Sequence, residues 1–308
     1  MPLMNETQTP PRMQPRQQSV ESDGPWPFIT RRVFHSADGN ERVWSSRHHR
    51  KGLLVRGVAE RERLASILVQ CLWMPGQLNY WIGIIFAFGS LLFAVASVLS
   101  LAPPLAKAWS LDSTQVNAIF FVGSIPFTIA AYLQLFQAAN AGEFDPGGAT
   151  DEKGAGSLPP FLSFVGWRPH DIGWLSSALQ FVGTILFNFN TFDAMLPSLN
   201  WFQQDLVIWA PNIIGSILFL ASGYLAFIET CHAHWAWQPK NISWWVVFTN
   251  LLGCVGFMIS ALSAIVLPGT PNIEVVHLSI FFTLLGAIGF LVGSLLMLPE
   301  TVSVERQS

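Results

Sequence analysis

Six long apolar stretches run along the chain, at approximately 78–101, 114–137, 172–194, 208–229, 243–267 and 275–298, with short polar stretches between them. Each is close to the roughly 20 residues that an α-helix needs to cross the hydrocarbon core of a bilayer. Pro103 and Pro104, Pro197, Pro268 and Pro299 stand just past the ends of four stretches, where a ring that cannot continue a helix belongs. Pro126 falls inside the second and predicts a kink, tolerated because neighbouring helices can satisfy the freed carbonyl. The pattern predicts an all-α membrane protein with six transmembrane helices over 78–299 and a short tail, 300–308.

The polar flanks read differently. Residues 1–27 are rich in Pro, Gln and Met without apolar periodicity, which predicts disorder. Residues 28–77 form a basic segment. Within it, 28–46 alternate around Asp38-Gly39, a dipeptide suited to a hairpin turn. Further on, Leu64, Ile67, Leu68, Cys71 and Leu72 recur at helical spacing behind Glu60, Arg61, Glu62 and Arg63. An amphipathic helix over 57–73, lying on the inner leaflet, is expected. The loop 140–160, with Gly147-Gly148 and Gly154-Ala155-Gly156, reads as a flexible connector.

A repeat runs through the apolar region. Trp-x-Pro-x-x-[Leu/Ile]-x-[Trp/Tyr] occurs three times, from Trp73 to Tyr80, Trp167 to Trp174 and Trp237 to Trp244. Sixteen residues after each leading Trp stands a Gly (Gly89, Gly183, Gly253), and four further on a Phe (Phe93, Phe187, Phe257). Alternate spans carry the same Gly-small-x-x-Phe signature at Gly123 with Phe127, Gly215 with Phe219 and Gly286 with Phe290. Three tandem helical hairpins, 73–137, 167–229 and 237–299, follow from that register. Glycine at a helix contact lets backbones approach closely, which matters in lipid where no hydrophobic gain drives association. The six glycines are therefore expected to be helix-packing positions.

Phe88-Gly89-Ser90-Leu91-Leu92-Phe93 and Ile214-Gly215-Ser216-Ile217-Leu218-Phe219 resemble the signature of the YrhK-like family of integral membrane proteins, in its longer, multi-spanning members. Val43 to Gly52 and the Trp-x-Pro boxes are similar to segments of those members, and the likeness covers roughly residues 28–299. Cys254 and Ala287 depart from the signature where Ser is usual, and Pro126 interrupts the second span. The resemblance implies architecture; it implies no activity and no catalytic residues.

Composition and charge fix the orientation. Hydrophobic residues make up 51% and charged residues only 11%, well under the roughly 25% of a soluble chain. Residues 1–77 hold 11 of the 16 Lys and Arg, and six alternating spans leave only Lys107 on the side opposite the other fifteen. That bias places both termini in the cytoplasm. Trp73, Trp81, Trp167, Trp174, Trp237 and Trp244 are then expected as interfacial anchors on that side, with Trp109, Trp201 and Trp209 at the other. Arg42, Arg47, Arg50, Lys51, Arg56, Arg61 and Arg63 read first as a topology signal and second as a surface for anionic lipid headgroups. The bilayer is the expected partner, and nothing points to nucleic acid.

Chemistry is sparse. Glu229, Cys231, His232, His234 and His170 gather near span ends without zinc-like spacing, so no metal site and no cofactor are expected. No hydrolase elbow, phosphate loop or zinc-protease motif is present, and the chain reads as non-enzymatic. Ser177, Gln180, Thr184, Asn188 and Thr191 share one face of the third span, with Asn250 at the position in the fifth that matches Gln180. Such a stripe serves either as interhelical hydrogen-bonding glue or as a polar path. Two functions follow: a membrane scaffold or lipid-organising protein with a basic cytoplasmic N-terminus, or a small-solute channel or facilitator. A polar cavity through the midplane would favour the facilitator, and a dry, Phe-filled centre the scaffold.

Overall fold

The computed structural model describes residues 19–35, 41–52, 73–141, 162–196, 199–266, 268 and 272–305. Among these described residues, six helices are long and apolar enough to cross a membrane. They are α2 (Leu78–Leu101), α4 (Ser113–Asn140), α5 (Ile172–Asp193), α6 (Trp201–Cys231), α7 (Ile242–Ser263) and α8 (Ile273–Glu305). A short helix α3 (Pro103–Ala108) starts on its two prolines, which need no helical hydrogen bond there. Helix starts are capped by side chains. Asp112 and Gln115 form a reciprocal box at α4, Asp171 accepts from the Gly173 and Trp174 amides at α5, and Asn241 accepts from the Ser243 amide at α7. A π-helical turn, Asp205–Trp209, interrupts α6 near its start.

Before the helices stands a small antiparallel sheet, β1 (Ser19–Asp23), β2 (Arg31–His35) and β3 (Glu41–Ser45), running straight into α1 (Ser46–Lys51). Arg31 faces Ser45 and His35 faces Glu41 across the hairpin. β1 corrects the expectation of disorder over 1–27 for its last residues: Ser19–Asp23 lack apolar periodicity but gain order by pairing with β2, Val20 opposite Phe34. Residues 53–72, which hold most of the expected amphipathic helix, lie outside the described residues, as does most of the 140–160 loop.

A second correction concerns Pro299. It does not end the last span; α8 runs through it to Glu305. A helix tolerates one missing hydrogen bond when its far side is anchored. Here the Thr301 hydroxyl donates to the Met297 carbonyl at 2.8 Å, and Glu300 is held by α1.

The long helices form a closed ring: each packs against the next, and α8 returns to α2. At their contacts a Cβ added to Gly89 would stand 2.9 Å from the Gly123 carbonyl oxygen, one on Gly183 2.7 Å from the Phe219 ring, and one on Gly253 3.0 Å from the Gly286 oxygen. Gly256 and Gly289 extend the α7–α8 contact, so these two helices meet backbone to backbone. Phe88, Val122, Ile214, Leu252 and Leu295 point outward, giving the ring an apolar exterior.

Candidate functional site

The three boxes lie at the end of the ring that carries the sheet, here the proximal end. Arg47, Arg50 and Lys51 follow one another at helical spacing on α1, which presses all three into the ring. Glu229 near the end of α6 and Glu300 near the end of α8, both fully buried, receive them. The Arg50 guanidinium donates to Glu229 Oε2 at 2.7 Å, and the Ser46 hydroxyl to Glu229 Oε1 at 2.7 Å. Arg47 Nε donates to Glu300 Oε1 at 3.1 Å, and Lys51 Nζ to Glu300 Oε2. Gly173 supplies the notch for Arg50, since a Cβ there would sit 2.5 Å from Arg50 Nε. A further tie joins the sheet to the ring, His232 Nδ1 to Thr30 Oγ1 at 2.9 Å. Burial and the neighbouring Arg47 push Lys51 down to about 7, against the pull of Glu300. Burial likewise lowers His48 and His232 from the usual imidazole range.

Beneath α1 lies a chamber of about 50 Å³. Arg47, Arg50 and Lys51 wall its proximal side; Asn79, Gln137, Gln180, Ser222, Asn250 and Ser294 come one from each of the six spanning helices. A cavity needs about 10–15 Å³ per water, so this one takes a few waters or one very small solute. A second chamber, of about 300 Å³, occupies the distal half among Asn117, Ser124, Thr191, Asn212, Ser260 and Thr283. That is the lower end of the roughly 300–1,000 Å³ usual for ligand pockets.

Between them stands an aromatic partition. Phe86 and Phe290 face the proximal chamber; Phe93, Phe127, Phe187 and Phe257 face the distal one. The rings touch edge to face or stacked, Phe187 to Phe219 at 4.9 Å and Phe257 to Phe290 at 5.6 Å between centroids. Phe219 lines both chambers, so at that point the partition is one ring thick. Five of the six signature phenylalanines, each one turn beyond a contact glycine, face one chamber, and Phe219 faces both.

The expected site residues sort into three groups. Gln180 and Asn250 line the proximal chamber, but the stripe is not one path. Thr184 is buried and bonds back to the Phe181 carbonyl at 2.7 Å, whereas Asn188 donates to Thr128 on α4 at 2.9 Å. Arg47, Arg50 and Lys51 are not a lipid-facing surface: they are about 5% exposed and spent on buried carboxylates. Arg56, Arg61 and Arg63 lie outside the described residues. Trp73, Trp81, Trp167 and Trp237 are exposed, but Trp174 and Trp244 are buried. Each of these two bonds a carbonyl, Val165 and Ala236, and packs edge-on to the leading Trp of its box, so the second ring seats the first.

Glu229 and Glu300 are the residues that sequence reasoning passed over as acceptors for α1. Their signal was present: two carboxylates at the ends of apolar spans, and a hexapeptide whose cations fall at i, i+3 and i+4. Cys231, His232 and His234 do not converge on a metal; His234 meets the Tyr224 hydroxyl at 3.1 Å, and no group of three ligands forms among the described residues. No family model, no curated protein and no solved structure matches the chain.

Proposed function

We propose that the protein is a non-enzymatic, gated facilitator for small polar solutes, with its proximal end and both termini in the cytoplasm. The observation that carries this reading is the polar lining of the proximal chamber, drawn from all six spanning helices. Polar side chains inside a membrane ring are costly and mark pathways when they face a common cavity. A second chamber stands on the far side of one layer of rings. Charge asymmetry supports the orientation: among the described residues Lys107 lies past the distal end of α2, whereas Arg47, Arg50, Lys51, Arg168 and Lys240 lie at the proximal end. We further propose that the glycine-to-phenylalanine contacts are the packing unit of three tandem hairpins, shared with the YrhK-like proteins that the signature resembles.

One observation favours a scaffold instead: the midplane is filled by phenylalanine. The two readings differ in water. In a background without Cys71, Cys231 and Cys254, single cysteines at Asn250, Ser260 and Phe88 separate them. In vesicles, a facilitator exposes the first two to a small water-soluble thiol reagent and leaves lipid-facing Phe88→Cys unreacted. A scaffold leaves all three unreacted.

A further inference from the structure

Among the described residues, every charged one that lines the proximal chamber is a cation. The cluster around it, among the described residues, sets three cations (Arg47, Arg50, Lys51) against two carboxylates (Glu229, Glu300). Both carboxylates are already engaged from two sides, Glu229 by Arg50 and Ser46, Glu300 by Arg47 and Lys51. While Lys51 is protonated, one positive charge is left over in a buried place, where an uncompensated charge is strongly unfavourable. Arg50 Nε, on a residue 94% buried, has no hydrogen-bond partner, and neither do the buried amide oxygens of Gln137 and Asn250 in the same lining. Turned end for end, the Asn250 carboxamide presents N–H donors in place of its oxygen, whereas Gln137 Nε2 already donates to Asn79 Oδ1 at 3.3 Å.

We propose that the proximal chamber binds a small monovalent anion of the size of chloride, nitrate or formate, against the cations of α1 and the carboxamides of Asn79, Gln137 and Asn250; as a statement of what the protein passes, this rests on the facilitator reading. The volume sets the class. About 50 Å³ accommodates an ion of one to four heavy atoms and rejects one such as gluconate. The bound ion supplies the missing negative charge and accepts from Arg50 Nε, which is otherwise unused, and from the Asn250 carboxamide turned toward it. Lys51 is the pivot. Its neighbours in charge are Arg47, Arg50 and His48 on α1, Glu300 on α8 and Glu229 on α6, whereas the chamber residues of α2, α4, α5 and α7 are neutral. With its titration lowered to about 7, it surrenders its proton just above neutral pH unless an anion holds it there.

The test uses the full-length protein in lipid nanodiscs at constant ionic strength, sodium nitrate replacing sodium gluconate. Nitrate should raise the melting temperature saturably and bind calorimetrically, and binding should weaken as pH rises from 6 to 9. Lys51→Gln balances the cluster, keeps Arg47 on Glu300, and should weaken nitrate binding roughly tenfold or more, the effect of one charge-assisted contact. Lys51→Arg should keep the binding and lose its pH dependence, which a purely structural role for Lys51 would not produce. A response to nitrate no greater than to gluconate, or Lys51→Gln binding nitrate as the parent does, would overturn the proposal. Flux separates the two readings. Proteoliposomes that pass urea but neither bind nor pass nitrate remove the anion and leave the facilitator; nitrate binding in protein that passes no solute removes the facilitator and leaves the site.

Discussion

Glu300→Gln is the most informative perturbation of the α1 contact. Glu300 is fully buried and serves Arg47 and Lys51 together, both of them about 5% exposed. Removing one partner of a buried ion pair costs about 3–5 kcal/mol, because the orphaned charge stays buried. Glutamine still offers one acceptor oxygen, so the lower figure applies: about 3 kcal/mol against the docked state of α1. At roughly 1.4 kcal/mol per tenfold, undocked α1 becomes about a hundred times more populated. Trypsin reads that population directly, because cleavage follows the open fraction when opening is fast. Cuts after Arg47, Arg50 and Lys51, assigned by fragment mass, should appear about a hundredfold faster than in the parent. Glu274→Gln, exposed on the same helix, should change nothing. If Glu300→Gln leaves cutting at α1 and thermal stability at parental values, the ion pairs do not hold this segment and the account of the proximal end is wrong.

Further outcomes follow from the same geometry. Gly253→Leu should lower stability in detergent by about 1–3 kcal/mol through overpacking against Phe290 and the Gly286 backbone, whereas Gly76→Leu, where an added Cβ meets nothing within 4 Å, should be nearly silent. Trp244→Phe leaves the half-buried Ala236 carbonyl without its donor and should cost about 1 kcal/mol, and Trp167→Phe, on an exposed ring, much less. For pH, the unfolded chain holds protons on His48 and His232 that the folded chain releases, so melting temperature should fall as pH drops from 6.5. Lys51, lowered from 10.5 to about 7, makes stability rise between those two values, and a melting curve of Lys51→Gln should be flatter across that range.

The sequence makes the spans easy to read and their ends less so. Twenty apolar residues can do little else than cross a bilayer or fill a core, whereas Pro299 looks like a terminator until Glu300 beyond it proves to be anchored. Gly89, Gly123, Gly183, Gly215, Gly253 and Gly286 stand at a spacing that can be counted, and each lies against a neighbouring helix. Where the phenylalanines point is not countable, because it depends on which side of each contact glycine faces the axis. Arg47, Arg50 and Lys51 are ambiguous for a physical reason: the same charges serve as topology signals, lipid contacts or buried partners, and only the three-dimensional placement of Glu229 and Glu300 decides. Trp174 and Trp244 mislead similarly, since the box gives two aromatic rings but not which one faces out.

The claim at the centre is that two chambers share one axis and a single layer of phenylalanine separates them. Solute flux into proteoliposomes containing the purified chain, compared with Phe219→Ala, tests it most directly. Phe219 walls both chambers and is 1% exposed, so its removal joins them. The account predicts that Phe219→Ala passes nitrate, or another solute as small, measurably faster than the parent at equal protein density. Folded Phe219→Ala protein whose vesicles leak no faster than empty ones would contradict it.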